Sequence, residues 1–365
     1  MIKIRSILFL VFILFFFATN SDAYDVSVLI STAKVFNISS QSEIVLKKDK
    51  QPYKTSKNFV FSSFDEGSSS HIYVFGNDTF EVSSKDPINV DGLEVNSNLM
   101  INEKNGFLNA FVLLDLESYV KRVVFCEMPS SWPIEALEAQ AVLARTYVLK
   151  KIKENGYILP NNLNQNFDIK SLVPKNIEEA VDKTKGEIVS YKGSIASVFY
   201  HSSSGTSMTE NVKNVWGSYI PYLIPVRDYD KFSPYVHWVK KIPLDKVLET
   251  LKEEKLIQDS SKYYKFNCVN IKSFDSSGRA EKVEFTINNK KYIVTALQIR
   301  KLFGLYSTNF RLAIDEKFLS FDGSGSGHGV GLSQWGAYAM AKSNVSYKNI
   351  IKHYFLGTEV TKFDP

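Results

Sequence analysis

From residue 24 to about 114 the chain runs in short apolar stretches rich in β-formers: Val26 to Ile30, Val35 to Ile38, Ile44 to Leu46, Phe59 to Phe61, His71 to Phe75, Phe80 to Val82 and Asn109 to Leu114. Polar clusters such as Glu66-Gly67-Ser68-Ser69-Ser70 separate them as turns. The pattern predicts a strand-rich N-terminal region over 24–114, without recognisable chemistry. At Asp115 the period changes. Leu116, Tyr119, Val120, Val123 and Val124 follow one helical face, and Asp115 suits the N-cap. A second helix is expected from Pro133 to about Glu154, with Ile134, Leu137, Ala141, Ala144 and Val148 as its stripe and Gly156 as its stop. Its many alanines imply close packing and a central place.

Farther on, Glu187 to Tyr191 and Ile195 to Tyr200 read as two strands around Lys192-Gly193. The second runs into His201-Ser202-Ser203-Ser204-Gly205-Thr206, which is either a ligand-binding polar rim or a solvated Ser-rich loop. Trp216 to Leu223 is an aromatic-rich turn, suited to stacking on sugars or to plugging a core. Residues 231 to about 312 predict a lateral α+β unit, with a helix over Leu244 to Leu256 and a hairpin around Asn288-Asn289. Then comes Gly323-Ser324-Gly325-Ser326-Gly327-His328-Gly329-Val330-Gly331, whose alternating glycines suggest an open backbone that a ligand can approach closely. A helix over Ser333 to Lys342 follows. The fold class is α+β: a strand-rich core, a central helix bearing the candidate active-site turn at its N-terminus, and the lateral unit. The division is 1–23, 24–114, and 115–365 with the insertion at about 231–312.

Residues 1–23 change the picture of where the chain resides. Lys3 and Arg5 precede an apolar run from Ile7 to Ala18, and Ser21-Asp22-Ala23 offers a cleavage site, so export is expected. Retention as an N-terminal membrane anchor stays open, although the run is short of the ~20 residues a span needs. The formal net charge of +5 is mild and no basic run interleaves with aromatics, which argues against nucleic acid as a partner. Two cysteines and five scattered histidines show no metal-ligand spacing, so neither metal nor cofactor is expected.

The candidate chemistry centres on Phe125-Cys126-Glu127-Met128-Pro129-Ser130-Ser131-Trp132-Pro133. Pro129 biases Met128 towards an extended conformation and should stop the first helix there. Glu127 then sits at a break between two helices, beside Met128 and Trp132. It is either a surface glutamate in a turn or a carboxyl group placed to give a proton. Arg145, among apolar neighbours, either finds a buried partner or snorkels to solvent. The glycine run lacks Gly-Lys-Ser/Thr and misses the dinucleotide fingerprint. Gly331-Leu332-Ser333 is no nucleophile elbow, because Trp335 stands where glycine is needed. Cys126 has no identifiable histidine partner and reads as a small buried residue. What is left is an isolated glutamate and polar or glycine-rich loops bearing His201, His328 and Gln334, a set suited to proton transfer and polymer binding.

Three stretches, Tyr119 to Tyr147, Phe199 to Trp216 and Gly327 to Ala341, in this order resemble the stage II sporulation protein D and amidase enhancer family over nearly the whole chain after residue 23. The resemblance implies a peptidoglycan lytic transglycosylase with Glu127, before the Met128-Pro129 pair, as the catalytic glutamate. It also implies a glycan cleft with Arg145, His201, Ser202, Ser203, His328 and Gln334 as substrate-binding candidates. Some relatives carry a histidine-cysteine cluster associated with zinc after the central helix; 157–177 here holds neither residue, so no metal is carried over. The alternative it implies is a non-catalytic wall-binding protein that enhances a partner amidase.

Overall fold

The computed structural model describes residues 24–64, 71–158, 172–257 and 265–364. The expected leader, the Ser-rich turn at 66–70 and most of the expected loop at 157–177 fall outside them. The fold is α+β.

The N-terminal part is one sheet. Its strands are β1 (Asp25–Ala33), β2 (Val35–Lys48), β3 (Gln51–Ser62), β4 (His71–Tyr73), β5 (Thr79–Ser84), β6 (Ile88–Val90), β7 (Leu93–Val95), β8 (Leu99–Lys104) and β9 (Phe107–Asp115). The order is β1-β9-β8-β5-β2-β3-β4, with β6 bridging β2 and β7. Alternation explains the sheet: Phe36, Ile38, Ile44 and Leu46 of β2 point to a shared core with Val82, Leu99, Ile101 and Leu108. Strands β6 to β8 did not stand out in the sequence, because β6 and β7 have only three residues each and half of β8 is polar.

β9 leads directly into α1 (Leu116–Glu127), whose N-cap Asp115 accepts from the Ser118 N–H at 3.0 Å. Met128 ends it in extended conformation (φ −133°, ψ 142°), as the following Pro129 requires. α2 (Ile134–Asn155) starts after Pro133 and stops at Gly156 in the left-handed region. Every residue from Ala136 to Thr146 is buried, so α2 is enclosed on all sides, as the alanine content suggested. It packs against α1, α3 (Lys175–Lys183) and β10 (Glu187–Tyr191).

The predicted strand over Ile195 to Tyr200 is interrupted. Only β11 (Ser194–Ile195) continues beside β10. The Ser197 N–H then turns to the Tyr222 hydroxyl at 2.8 Å, and β12 (Tyr200–His201) pairs elsewhere. α4 (Val212–Trp216) follows.

Residues 238–321 gather around a separate core of Trp238, Val247, Phe285, Ile299, Phe310 and Phe321. Its elements are β13 (Trp238–Pro243), α5 (Leu244–Glu253), β14 (Phe266–Phe274), β15 (Ala280–Ile287), β16 (Lys290–Thr295), α6 (Ala296–Leu302), β17 (Phe310–Ile314) and β18 (Phe318–Gly323). Asn288 and Asn289 both take positive φ (49° and 61°), which makes the tight hairpin turn. The chain returns to the α2 core through β19 (Leu332–Ser333), α7 (Gln334–Lys342), α8 (Tyr347–Tyr354) and β20 (Glu359–Lys362). Among the described residues no helix is long and apolar enough to cross a membrane, and Cys126 and Cys268, on separate units, form no disulfide.

Candidate active site

Glu127 is the last residue of α1, at the break before α2, and is partly buried. Its carboxylate meets a residue remote in sequence: Gln334 Nε2 donates to Glu127 Oε2 at 3.2 Å. Gln334 arrives there because β19 runs parallel to β12, pairing Tyr200 with Leu332 and His201 with Ser333. Ser333 then caps α7 by accepting from the Gly336 N–H at 3.1 Å, and the Trp335 N–H donates to the Ser202 carbonyl at 3.0 Å. Met128 is buried beside Glu127. Burial, then Tyr147 and Glu127, hold the Tyr119 phenol well above the usual phenol range, so it stays protonated at neutral pH.

A shelf of rings begins at Trp335, the residue after Gln334. Trp132 lies 4.7 Å from Trp335 and 5.0 Å from Tyr338 between centroids, and Tyr338 lies 5.8 Å from Phe232. Lys231 and Lys342 flank the exposed Phe232 ring, with Nζ at 5.3 and 5.4 Å from its centroid. The shelf was not legible in the sequence, since its members come from three separate segments: Trp132, Lys231-Phe232 and α7.

The other expected ligand contacts are redistributed. Arg145 is corrected from a substrate contact to an internal support. It is wholly buried, with Nε and Nη2 on Glu117 at 2.9 and 2.6 Å, Nη1 on the Glu187 carbonyl and Nη2 also near the Val181 carbonyl. Its donors are thus committed to the protein. His201 and Ser203 are likewise internal. His201 is 4 % exposed, with Nε2 beside Ser204 Oγ at 2.9 Å and Nδ1 beside the Val330 carbonyl at 3.3 Å. Burial keeps it well below the usual histidine range, so it is neutral. Ser203 donates to the buried carboxylate of Asp230, which also receives the Gly205 N–H at 2.8 Å and the Thr206 N–H. The polar rim of the sequence reading is therefore an interior joint whose acid, Asp230, nothing in the sequence marked. Ser202 remains partly exposed beside Trp335. His328 packs against Trp216 and His201 at 5.0 and 5.8 Å between ring centroids, and its Nδ1 accepts from the Val330 N–H. Burial, then the Arg300 charge, pushes it down to about 4. Gln334 touches the glutamate itself, which makes it a positioning residue.

The alternating glycines also serve a different end from ligand approach. Gly325 packs on Ser203 and Ser204, Gly327 on His201, Gly329 on Glu210 and Arg279, and Gly331 on the Phe199 carbonyl. They let two loops lie backbone to backbone. A Cβ at Gly331 would fall 2.2 Å from the Phe199 oxygen, at a φ of +73°. Strain of about 1–3 kcal/mol and overpacking of a similar size should then add. Gly331→Ala is expected to lower stability by about 2 kcal/mol or more, read as a drop in the urea midpoint; an unchanged midpoint would show that the loops are not locked together.

Among the described residues no group of His, Cys, Asp or Glu is placed to hold a metal ion. The architecture defines a class: an α+β protein in which one carboxylate, at a helix break, is gripped from a remote glycine loop beside an aromatic shelf. Comparison with known proteins narrows this. The family described as stage II sporulation protein matches residues 104–191. Stage II sporulation protein D of Bacillus subtilis (strain 168) is 30% identical over 274 residues, covering 69% of this chain and 76% of that protein. The amidase enhancer of the same organism is 29% identical over 290 residues, covering 67% of this chain but 40% of its own length. An uncharacterised protein of Brachyspira hyodysenteriae (strain ATCC 49526 / WA1) is 29% identical over 289 residues, covering 77% of this chain and 76% of its own. The chain belongs to the stage II sporulation protein D family.

Proposed function

We propose that this protein is an exported lytic transglycosylase of peptidoglycan, acting on the β-1,4 bond between N-acetylmuramic acid and N-acetylglucosamine. The observation that carries the reading is the Glu127–Gln334 contact beside the ring shelf. Glu127 first gives its proton to the glycosidic oxygen as the bond from that oxygen to C1 breaks. Its carboxylate then takes the proton of the muramoyl C6 hydroxyl as that oxygen bonds to C1, closing a 1,6-anhydro ring. The nucleophile belongs to the substrate, so one residue serves both steps, unlike the two-carboxylate hydrolases. The carboxyl group of Glu127 stands at the C-terminal end of α1, where the helix dipole disfavours a negative charge and so favours a proton-transfer role. Gln334 fixes the orientation of that group. The rings of Trp335, Tyr338 and Phe232 offer faces to the sugars of the strand. Export through residues 1–23 would bring the protein to this substrate.

Purified peptidoglycan, intact and stripped of stem peptides, provides the assay, with mass spectrometry of the products. Anhydromuramoyl ends are the expected result; reducing muramoyl ends would mean attack by water instead. The likeness to an amidase enhancer supports a second reading, a wall-binding protein that stimulates a partner amidase. No cleavage by the pure protein, with faster turnover of an added cell-wall amidase, would establish that reading. Under the first reading Gln334→Ala removes the hydrogen bond that Glu127 accepts as a carboxylate once its proton has been given, worth about 1.5–3 kcal/mol, and cleavage should slow by about 10- to 100-fold. An unaltered rate would separate Gln334 from the chemistry.

A further inference from the structure

The lateral unit reaches the candidate site through one buried charged group. Asp275, Ser277 and Arg279 lie in the turn between β14 and β15. Arg279 is fully buried, and its Nη2 donates to the Met208 carbonyl at 3.3 Å. Its Nε lies 3.7 Å from Glu210 Oε2, yet among the described residues neither Nε nor Nη1 has a hydrogen-bond acceptor. Glu210 is 2 % exposed. Its Oε2 accepts from Ser277 Oγ at 3.1 Å, and its Oε1 from Asn214 Nδ2 at 2.9 Å and the Asn211 N–H at 2.6 Å. Asp275 Oδ1 accepts from Ser277 and from the Arg279 N–H.

The glycine loop rests on this group. The Glu210 N–H donates to the Gly329 carbonyl at 2.7 Å, and a Cβ at Gly329 would fall 2.9 Å from Glu210 Cβ and 3.1 Å from Arg279 Cζ. The lateral unit holds the start of the loop as well. The Tyr306 and Asn309 carbonyls accept from the Gly327 and Ser324 N–H groups, both at 2.9 Å. From Gly329 the chain runs straight into β19 and Gln334.

We infer that Glu210, Asp275 and Arg279 are positioning residues, a proton-dependent latch through which the lateral unit seats the glycine loop and so holds Gln334 against Glu127. With one proton between the two carboxyl groups, the trio is neutral and fits its dry setting; without it, two carboxylates face each other across the seam. Burial, then Asp275, pushes Glu210 up to about 7, against the pull of Arg279 and Asn214. The sign follows from linkage. The folded chain keeps a proton that the unfolded chain loses at the ordinary glutamate value, so this stabilisation is full below that value and gone once pH passes about 7. His201 and His328, facing the trio from the two loops, are neutral near pH 7. Asp228 and Asp230 act on Arg279 from their own loop, and Arg300 of α6 acts on it from the lateral side.

Hydrogen exchange of peptides covering 323–334, in the full chain without glycan, tests the latch at pH 6 and pH 8 after correction for intrinsic rates. Wild-type protection should fall roughly threefold or more between them. Glu210→Gln, isosteric and uncharged, should hold the pH 6 level at pH 8, and so should Asp275→Asn, which removes the repulsion from the more exposed side. Either variant alone decides the matter. Equal corrected protection of the wild type at both pH values, or a variant that keeps the wild-type loss, overturns the inference. The latch rests on the proposed function only for its consequence in catalysis: a chain that latches but releases no anhydromuramoyl ends refutes that activity and leaves the latch standing.

Discussion

Glu127→Gln is expected to abolish the release of anhydromuramoyl ends, with a loss of about 10²- to 10⁴-fold, the usual worth of a general acid–base group. Glutamine keeps the size of the side chain and an oxygen that can accept from Gln334 Nε2, so the site stays assembled. It has no proton to give the glycosidic oxygen and no basic carboxylate to take one from the C6 hydroxyl. The thermal unfolding midpoint should stay close to the wild-type value, because Glu127 is only partly buried and glutamine preserves its size and its bond from Gln334. Product analysis by mass spectrometry on identical peptidoglycan preparations provides the measurement. Wild-type levels of anhydro ends from the variant would remove Glu127 from the chemistry and with it the proposed activity.

Arg145→Met should have the opposite signature. The guanidinium is wholly buried, and its fork is closed on Glu117, whose side chain retains 16% exposure. Deleting one partner of such a pair leaves the other charge short of compensation and costs about 3–5 kcal/mol. The Glu187 and Val181 carbonyls lose their donor too. Urea unfolding followed by near-ultraviolet circular dichroism should show a clear fall in midpoint. Below that midpoint, the affinity for glycan strands should be unchanged. A stable Arg145→Met protein with weakened glycan binding would restore the ligand role inferred from the sequence. The pair of variants separates chemistry from support: Glu127 matters for rate and little for folding, Arg145 the reverse.

Local signals were legible wherever the chain itself dictates backbone geometry. Asp115 as a cap, Pro129 after Met128, Gly156 in the left-handed region and Asn288-Asn289 at a tight turn all act over a few residues, and the structure follows them. The alanine content of α2 likewise announced a buried helix. Where the reading erred, the deciding partner was remote. His201 and Ser203 looked like ligand contacts because imidazoles and hydroxyls at a strand end usually face water; here Val330 and Asp230 cover them. The glycines of 325–331 looked open because glycine permits close approach, and the sequence cannot say whether ligand or protein does the approaching.

The sequence alone thus determined the helix break that exposes Glu127, since proline and apolar period operate locally. Only the tertiary structure decided what stands against that carboxylate. Gln334 comes from the far end of the chain through the pairing of β12 with β19, Trp335 and Tyr338 follow it onto α7, and the lateral unit braces the loop that delivers them. Such contacts between distant segments follow from strand register and buried-charge compensation, which no window of neighbouring residues contains.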